Sequence, residues 1–297
     1  MARQRAARLS RPPASGRWAL APAVVVLGLL TAAGVGYAAA QSLGAFPVAG
    51  HSRVGLQAYR QLLGGGGPVT DLWSSAMFTL WVSAASTLAA TALALGAVAW
   101  ADRPASRGRR LATGLLHINL AIPHAVWAVA LLLVASQSGV LARAAAAVGL
   151  IDRPAQMPLL VSDPQGLGIV LHYATKEAPF LALVGLALLR AQPPELRIVA
   201  RVMGATGLRH VRLVTLPAVL PGLAAAAGLV FVFVFGAYEA PAVLGVSAPR
   251  TLSVLGLDLF QDGDLATRPV AMALGVLMTM AVVTLLGVAA FLAGRRR

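Results

Sequence analysis

Cysteine is absent from the 297 residues, and lysine occurs once. The first absence excludes a disulfide framework and any thiolate metal site. The second excludes a phosphate-binding P-loop, whose lysine must follow the second glycine to reach the β/γ-phosphates; Lys176 stands instead in Thr175-Lys176-Glu177. Charge is scarce as well. Only 11% of the residues are charged and 58% are apolar, against about 25% charged in a soluble domain. So little polar surface cannot cover so much apolar volume in water. The five histidines never form H-E-x-x-H, the helical zinc-protease arrangement, and no repeat of period 20–50 is present.

What the chain does have is long apolar runs, at 18–41, 73–100, 112–135, 166–189, 217–237 and 270–293. Each is near or above the ~20 residues that cross a bilayer as a helix. The expected fold is therefore all-α, a polytopic membrane protein of six transmembrane helices. Phe231, Phe233 and Phe235 alternate as in a strand, but one such segment inside a long apolar run does not make a barrel. The net charge of +14 is a topology signal rather than a nucleic-acid footprint. With the N-terminus in the cytoplasm, the inner segments 1–17, 101–111, 190–216 and 294–297 hold 17 of the 24 basic residues and two acids, or +15; the remainder carries −1. This asymmetry follows the positive-inside rule and puts both termini in the cytoplasm. No nucleic acid is expected as a partner; membrane lipid is.

Arg-rich residues 1–17 followed by an apolar run also have the form of a signal peptide, with small residues at Ala38-Ala39-Ala40. The apolar stretch is longer than the 7–15-residue core of such a peptide, so a retained first helix is expected. Gly64–Gly67 and Pro68 make a flexible connector. They separate residues 1–71 (basic tail, first helix, outer loop) from a five-helix core over 72–293, with 294–297 as a basic tail. The outer segment 136–165 is interrupted by Pro154, Pro158 and Pro164 and has room for a short helix near 141–148. Ser136-Gln137-Ser138-Gly139, with His124 or His172 as a base, bears a faint likeness to the Ser-Gly of an intramembrane serine protease; a polar helix end at the outer interface is the plainer reading, and no catalytic residue is expected.

The informative segment is 190–216. Pro194 suits a helix start, where a missing N–H costs nothing, and Gly204 suits a helix end in left-handed conformation. Two short helices follow, with Pro217 opening the next span. Leu196, Val199, Ala200 and Met203 share one face at i, i+3, i+4, i+7 spacing, with Arg197 and Arg201 in another stripe. Such a hairpin can lie on lipid or dock a cytoplasmic partner.

This loop resembles the "EAA" loop of binding-protein-dependent type I ABC importer permeases, the methionine-importer-like fold. Their pattern is EAA, three residues, Gly, nine residues, Ile-x-Leu-Pro. Here Gly204 is followed after nine residues by Val214-Thr215-Leu216-Pro217, and the triplet falls on Ile198-Val199-Ala200, so its glutamate and first alanine are replaced. The resemblance extends from Leu72 to Leu292 and includes Ile122-Pro123-His124, Lys176-Glu177-Ala178-Pro179-Phe180, Tyr238-Glu239-Ala240-Pro241, Leu244-Gly245 and Arg268-Pro269. These pieces are most similar to the branch serving polyamines, thiamine, iron(III) and sulfate or related oxyanions. The resemblance implies a non-catalytic pathway subunit in the bacterial inner membrane. It pairs with a second permease, identical or related, and docks an ABC ATPase dimer that binds ATP-Mg. A periplasmic or extracellular substrate-binding protein delivers the substrate, and no cofactor or metal is bound by this chain itself. It places ATPase coupling on Glu195, Ile198, Val199, Ala200, Arg201, Met203, Gly204, Ala205, Arg209, Val214, Leu216 and Pro217. A secondary transporter or channel subunit driven by an ion gradient is the alternative.

Lys176 and Glu177 lie about 16 Å into the fourth span at 1.5 Å per residue. Each costs ~2.5–3.5 kcal/mol at mid-membrane, so both should face protein or water, and adjacent helix positions point apart. With Pro179 beside them and Glu239 at the outer end of the fifth span, they are the candidate pathway or gating residues; two structurally satisfied charges beside a proline kink are the plainer reading. The topology has a direct test. Cysteines introduced at Gly65 and Arg107 should label from opposite sides of the membrane, and labelling of both by one impermeant reagent contradicts it.

Overall fold

The computed structural model describes residues 20–45, 54–64, 69, 71–101, 114 and 116–294, apart from the side chains of 194, 197, 201, 289, 290 and 292–294. The Arg-rich start, Gly65, Arg107 and the terminal arginines lie outside the described residues. Those described form helices and no strand. Hydrocarbon offers backbone N–H and C=O groups no water, so a crossing segment must satisfy them within itself.

The first span is α1 (Ala21–Ser42), followed by the short α2 (Gln57–Leu63) and the long α3 (Leu72–Ala101). After it come α4 (His124–Ala135), α5 (Val140–Ala147) and α6 (Leu167–Arg190). The loop helices α7 (Pro194–Val202) and α8 (Gly207–His210) precede α9 (Leu216–Gly236). Finally α10 (Glu239–Leu244), α11 (Leu252–Gln261) and α12 (Arg268–Gly294) close the chain. Six stretches are long and apolar enough to cross a membrane. Two differ from the expected runs. The third, by length, is His124–Ala147, α4 and α5 together, and the fifth extends back to Gly207. Proline explains both differences. Residues 116–121 are helical, but the chain turns at Ile122 and extended Pro123 (φ −60°, ψ 148°) before α4 begins. The third span is thus broken in its middle, because proline cannot donate to the residue four before it. Before α9, a π-helical turn at Val211–Thr215 carries the helix up to Pro217 with widened register, so that no break is needed there.

Helices α3 and α6 are the centre of the bundle. The buried stripe of α3 is small: Ser75, Thr79, Ser83, Ser86, Thr87, Ala90 and Ala94. Small residues let helix backbones approach closely in lipid. Two of the hydroxyls bond back to the carbonyl one turn earlier, Thr79 to Ser75 at 2.7 Å and Ser83 to Thr79 at 2.7 Å, which offsets the cost of burying these two; those of Ser75, Ser86 and Thr87 have no hydrogen-bond partner among the described residues. Around this pair, Phe78, Val82, Ile169, Tyr173, Leu181, Leu223, Val230 and Leu244 form one core. A second core joins α2, α11 and α12 through Leu62, Val69, Leu255, Leu259, Val270 and Leu274. Helix α1 packs against α12, and Ser42 at its end shares a 2.8 Å hydrogen bond with Tyr59 on α2.

Polar contacts fix the end of the bundle away from the α7–α8 loop. Buried Asp163 accepts from the N–H groups of Leu167 (2.8 Å) and Gly168 (3.1 Å), a favourable charge at the start of α6. Arg250 bridges Asp71 (3.1 Å) and Asp258 (2.8 Å), while Thr79 Oγ1 accepts from the N–H of Leu252 at 2.9 Å. Together these tie α11 to the start of α3.

At Gly185 on α6, an added Cβ would lie 2.7 Å from Val98 Cγ2 on α3. Overpacking of this kind costs roughly 1–3 kcal/mol. Gly185→Val should therefore lower the melting temperature of the purified chain in detergent. Gly96→Ala, on the same α3 but facing open space, should leave it unchanged or raise it slightly.

Candidate functional site

Two places bring the sequence-selected residues together: a polar cluster at the break in the third span, and the loop between α6 and α9. At the break, helix 116–121 ends and its last carbonyls lose their intrahelical donors. Lys176, only 3% exposed, answers from α6: its Nζ donates to the carbonyl oxygens of Asn119 and Ile122. Glu177, also buried, turns to the other side of the break, where its Oε1 lies 3.5 Å from His124 Nε2. The neighbouring charges thus take different partners, one on each side of Pro123. Trp127 Nε1 adds a 3.0 Å bond to Thr175 Oγ1, so three side chains in a row on α6 hold the two sides of the break, Lys176 the helix before it and Thr175 and Glu177 the helix α4 after it.

His124 sits in an aromatic group. Its ring centroid is 5.2 Å from Phe233, 5.7 Å from His172 and 6.1 Å from Tyr173. His172 is wholly buried, edge-on to Tyr173 at 4.8 Å, and neither ring nitrogen has a hydrogen-bond partner. An open cleft of about 320 Å³ runs along the break, lined by Leu120–His124, Lys176, Glu177 and Phe180. Pro179 is buried in α6, and Glu239 is the exposed first residue of α10. Among the described residues no group of three or more His, Asp or Glu is placed to hold a metal ion. Sequence reasoning missed the His124–His172–Tyr173–Phe233 group. Its members come from three helices, and only the i, i+4 step from His172 to Lys176 and the i, i+5 step to Glu177 hinted at a shared polar side of α6. Ser136 closes α4 and Gly139 precedes α5.

In the loop, α7 does begin at Pro194 and ends at Gly204, whose φ is +77°. The N–H of Ala205 reaches back to the carbonyl of Ala200 at 2.9 Å, the six-to-one bond of a left-handed helix end. A Cβ on Gly204 would meet nothing within 4 Å, so what calls for glycine there is the backbone angle. The shared apolar face differs from the expected one at Ala200. Ala200 and Ala205 are buried, turned toward the body of the chain. Leu196, Val199 and Met203 (77% exposed) of the expected face are exposed, and Ile198, Val202 (83%) and Leu208 are exposed apolar residues beside them. Glu195, Arg209 and Pro217 are exposed, Val214 and Leu216 half-buried; the side chain of Arg201 lies outside the described residues. Behind the loop, a cleft of about 330 Å³ is bounded by Leu189, Gln192, Leu196, His210, Leu213 and Val214.

Residues 92–297 match the family described as "binding-protein-dependent transport system inner membrane component". The chain belongs to that family. A probable molybdenum ABC transporter permease protein of Haloferax volcanii is 28% identical over 190 residues, which are 64% of this chain and 65% of that protein. This chain therefore spans just under two thirds of that relative's length. Among solved structures, a bacterial ABC transporter that imports the acidic polysaccharide alginate superposes with a TM-score of 0.74 at 19% identity, covering 94% of this chain and 96% of that one. The methionine transporter MetNI in an inward-facing form gives 0.56 at 22% identity, covering 75% and 95%. The fold is that of an ABC importer permease. Such permeases are non-catalytic transport subunits, in keeping with the loop and the six apolar spans.

Proposed function

We propose that the chain is the permease subunit of an ATP-driven ABC importer, forming half of the substrate pathway and coupling to a cytoplasmic ATPase through residues 193–217. The observation that carries the coupling is the row of exposed apolar side chains on α7 and α8. Ile198, Val199, Val202, Met203 and Leu208 stand out around a glycine turn whose own backbone is fully closed. An apolar helical face that its own fold leaves uncovered is a docking face for a groove. The Arg-rich loop and both termini lie in the cytoplasm in this reading, in accord with the charge asymmetry. ATP-Mg is bound by the partner ATPase dimer. A second permease, identical or related, completes the pathway, and an extracytoplasmic substrate-binding protein delivers the cargo.

The pathway face is the side of the bundle that carries the break. An open cleft with Glu177 and half-exposed His124 on it is costly against lipid and tolerable only against protein or water. The cargo is a small polar solute of the thiamine, polyamine, iron(III) or oxyanion class, and the molybdenum permease among its relatives supports the oxyanion member. An ion-gradient transporter is not favoured by any of these relatives.

The coupling is tested with Met203→Asp and Gly204→Asp. Aspartate tolerates the left-handed backbone better than most residues and meets open space at 204, so neither variant should prevent folding or insertion. Each places a charge in the apolar docking face. A loss of ~2 kcal/mol there weakens partner binding about thirtyfold. Co-purification of the ATPase and receptor-stimulated ATP hydrolysis should both be lost, with the level of the permease in the membrane unchanged. Full retention of the ATPase by both variants contradicts the docking assignment.

A further inference from the structure

The reading above makes the break a feature of the pathway; its chemistry also gives Lys176 a specific task. In a continuous helix the carbonyl of Asn119 would accept from the N–H of residue 123, and that of Ile122 from the N–H of residue 126. Residue 123 is proline, so the first donor does not exist. The second is carried away because Pro123 is extended and Val126 belongs to the first turn of the separate helix α4. What remains for Asn119 is a 3.3 Å bond from the N–H of Ile122. For the carbonyl of Ile122, the lysine is the donor in place. An unpaired carbonyl buried away from water costs free energy comparable to a lost hydrogen bond, and Lys176, itself 3% exposed, covers these two.

We propose that Lys176 is a positioning residue. Its ammonium replaces, from a neighbouring helix, the two backbone donors that Pro123 removes from the third span, and so holds α4 with His124 against Glu177 on the pathway face. The positive charge also suits the C-terminal end of helix 116–121, where the partial charge is negative. Lysine and proline are thus complementary although 53 positions apart. Each is harmful without the other. Without the lysine, the carbonyl of Ile122 is stranded and that of Asn119 keeps only its 3.3 Å bond from Ile122; without the proline, the third span can close into one helix and its own N–H groups reclaim both carbonyls, stranding a buried ammonium.

This makes a prediction of sign epistasis, read as the melting temperature of the purified full-length chain in detergent. Lys176→Met alone should lower it by roughly 5 °C or more, and Pro123→Ala alone should also lower it. The double variant should melt within a few degrees of the unaltered chain. Lys176→Arg, which can still give two N–H groups to two carbonyls, should keep more of the melting temperature and of the uptake than Lys176→Met. Because melting needs neither ATPase nor receptor, this arm stands or falls apart from the importer assignment. Uptake supplies the positioning readout: the double variant, though refolded, should transport at least tenfold more slowly, since a continuous helix carries His124 away from Glu177. The proposal is overturned if the double variant melts as low as the two single losses added together. It is equally overturned if Lys176→Met melts and transports normally, if Lys176→Arg fares no better than Lys176→Met, or if the double variant regains full uptake.

Discussion

No water reaches the hydrocarbon interior, so every backbone N–H and C=O there must find its partner within the protein. The arrangement of this chain follows from that requirement. Spans are helices because helices meet it unaided; Thr79 and Ser83 of α3 bond their hydroxyls to their own preceding turn. Where proline makes the requirement fail, the chain answers in two ways. Ahead of Pro217 the helix widens into a π turn and continues. At Pro123 it breaks, and Lys176 crosses from α6 to take up the stranded carbonyls. The one lysine of the chain is therefore found at a break in the backbone's own hydrogen bonding.

The broken span and the loop are joined by one element. Helix α6 carries Lys176 and Glu177 near its middle and, one residue before its end at Arg190, Leu189, which lines the cleft behind the loop together with Gln192. Thirteen helical steps from Lys176 to Leu189 cover about 20 Å. Over that length α6 is clamped to α3 so closely that Gly185 has no room for a methyl group. In the proposed coupling, a displacement of the loop by a docked partner would reach the break through α6, which holds both of its sides, through Lys176 on one and Glu177 on the other. Strain delivered to a discontinuous helix is absorbed at its break, where the backbone already lacks its own hydrogen bonds.

Much of this was legible beforehand because it rests on local rules. Apolar length locates four of the six spans closely, and arginine distribution gives a definite orientation to test. Pro194 and Gly204 mark the ends of α7 through their own backbone chemistry, whatever surrounds them. What was not legible is what depends on residues distant in the chain. Ile122-Pro123 stood in plain view, but a proline in an apolar run can kink, widen or break a helix, and the outcome here is set by a lysine 53 positions later. The ring group of His124, His172, Tyr173 and Phe233 is assembled from three helices and has no periodic signature. Ala200 fits the apolar stripe of α7 by spacing, yet it is buried while Val199 and Met203 are exposed. Helical spacing tells which residues share a face, and tertiary packing decides which edge of that face is covered.

The central functional claim is that movement of cargo is driven by ATP hydrolysed on a partner docked at the α7–α8 loop. Its most direct measurement is uptake into vesicles containing this chain, its ATPase and its receptor, with the two energy sources removed one at a time. Uptake should persist when ion gradients are collapsed by ionophores, and should stop when ATP is withheld or the ATPase omitted. Uptake that continues without ATP and disappears with the ion gradient contradicts the account.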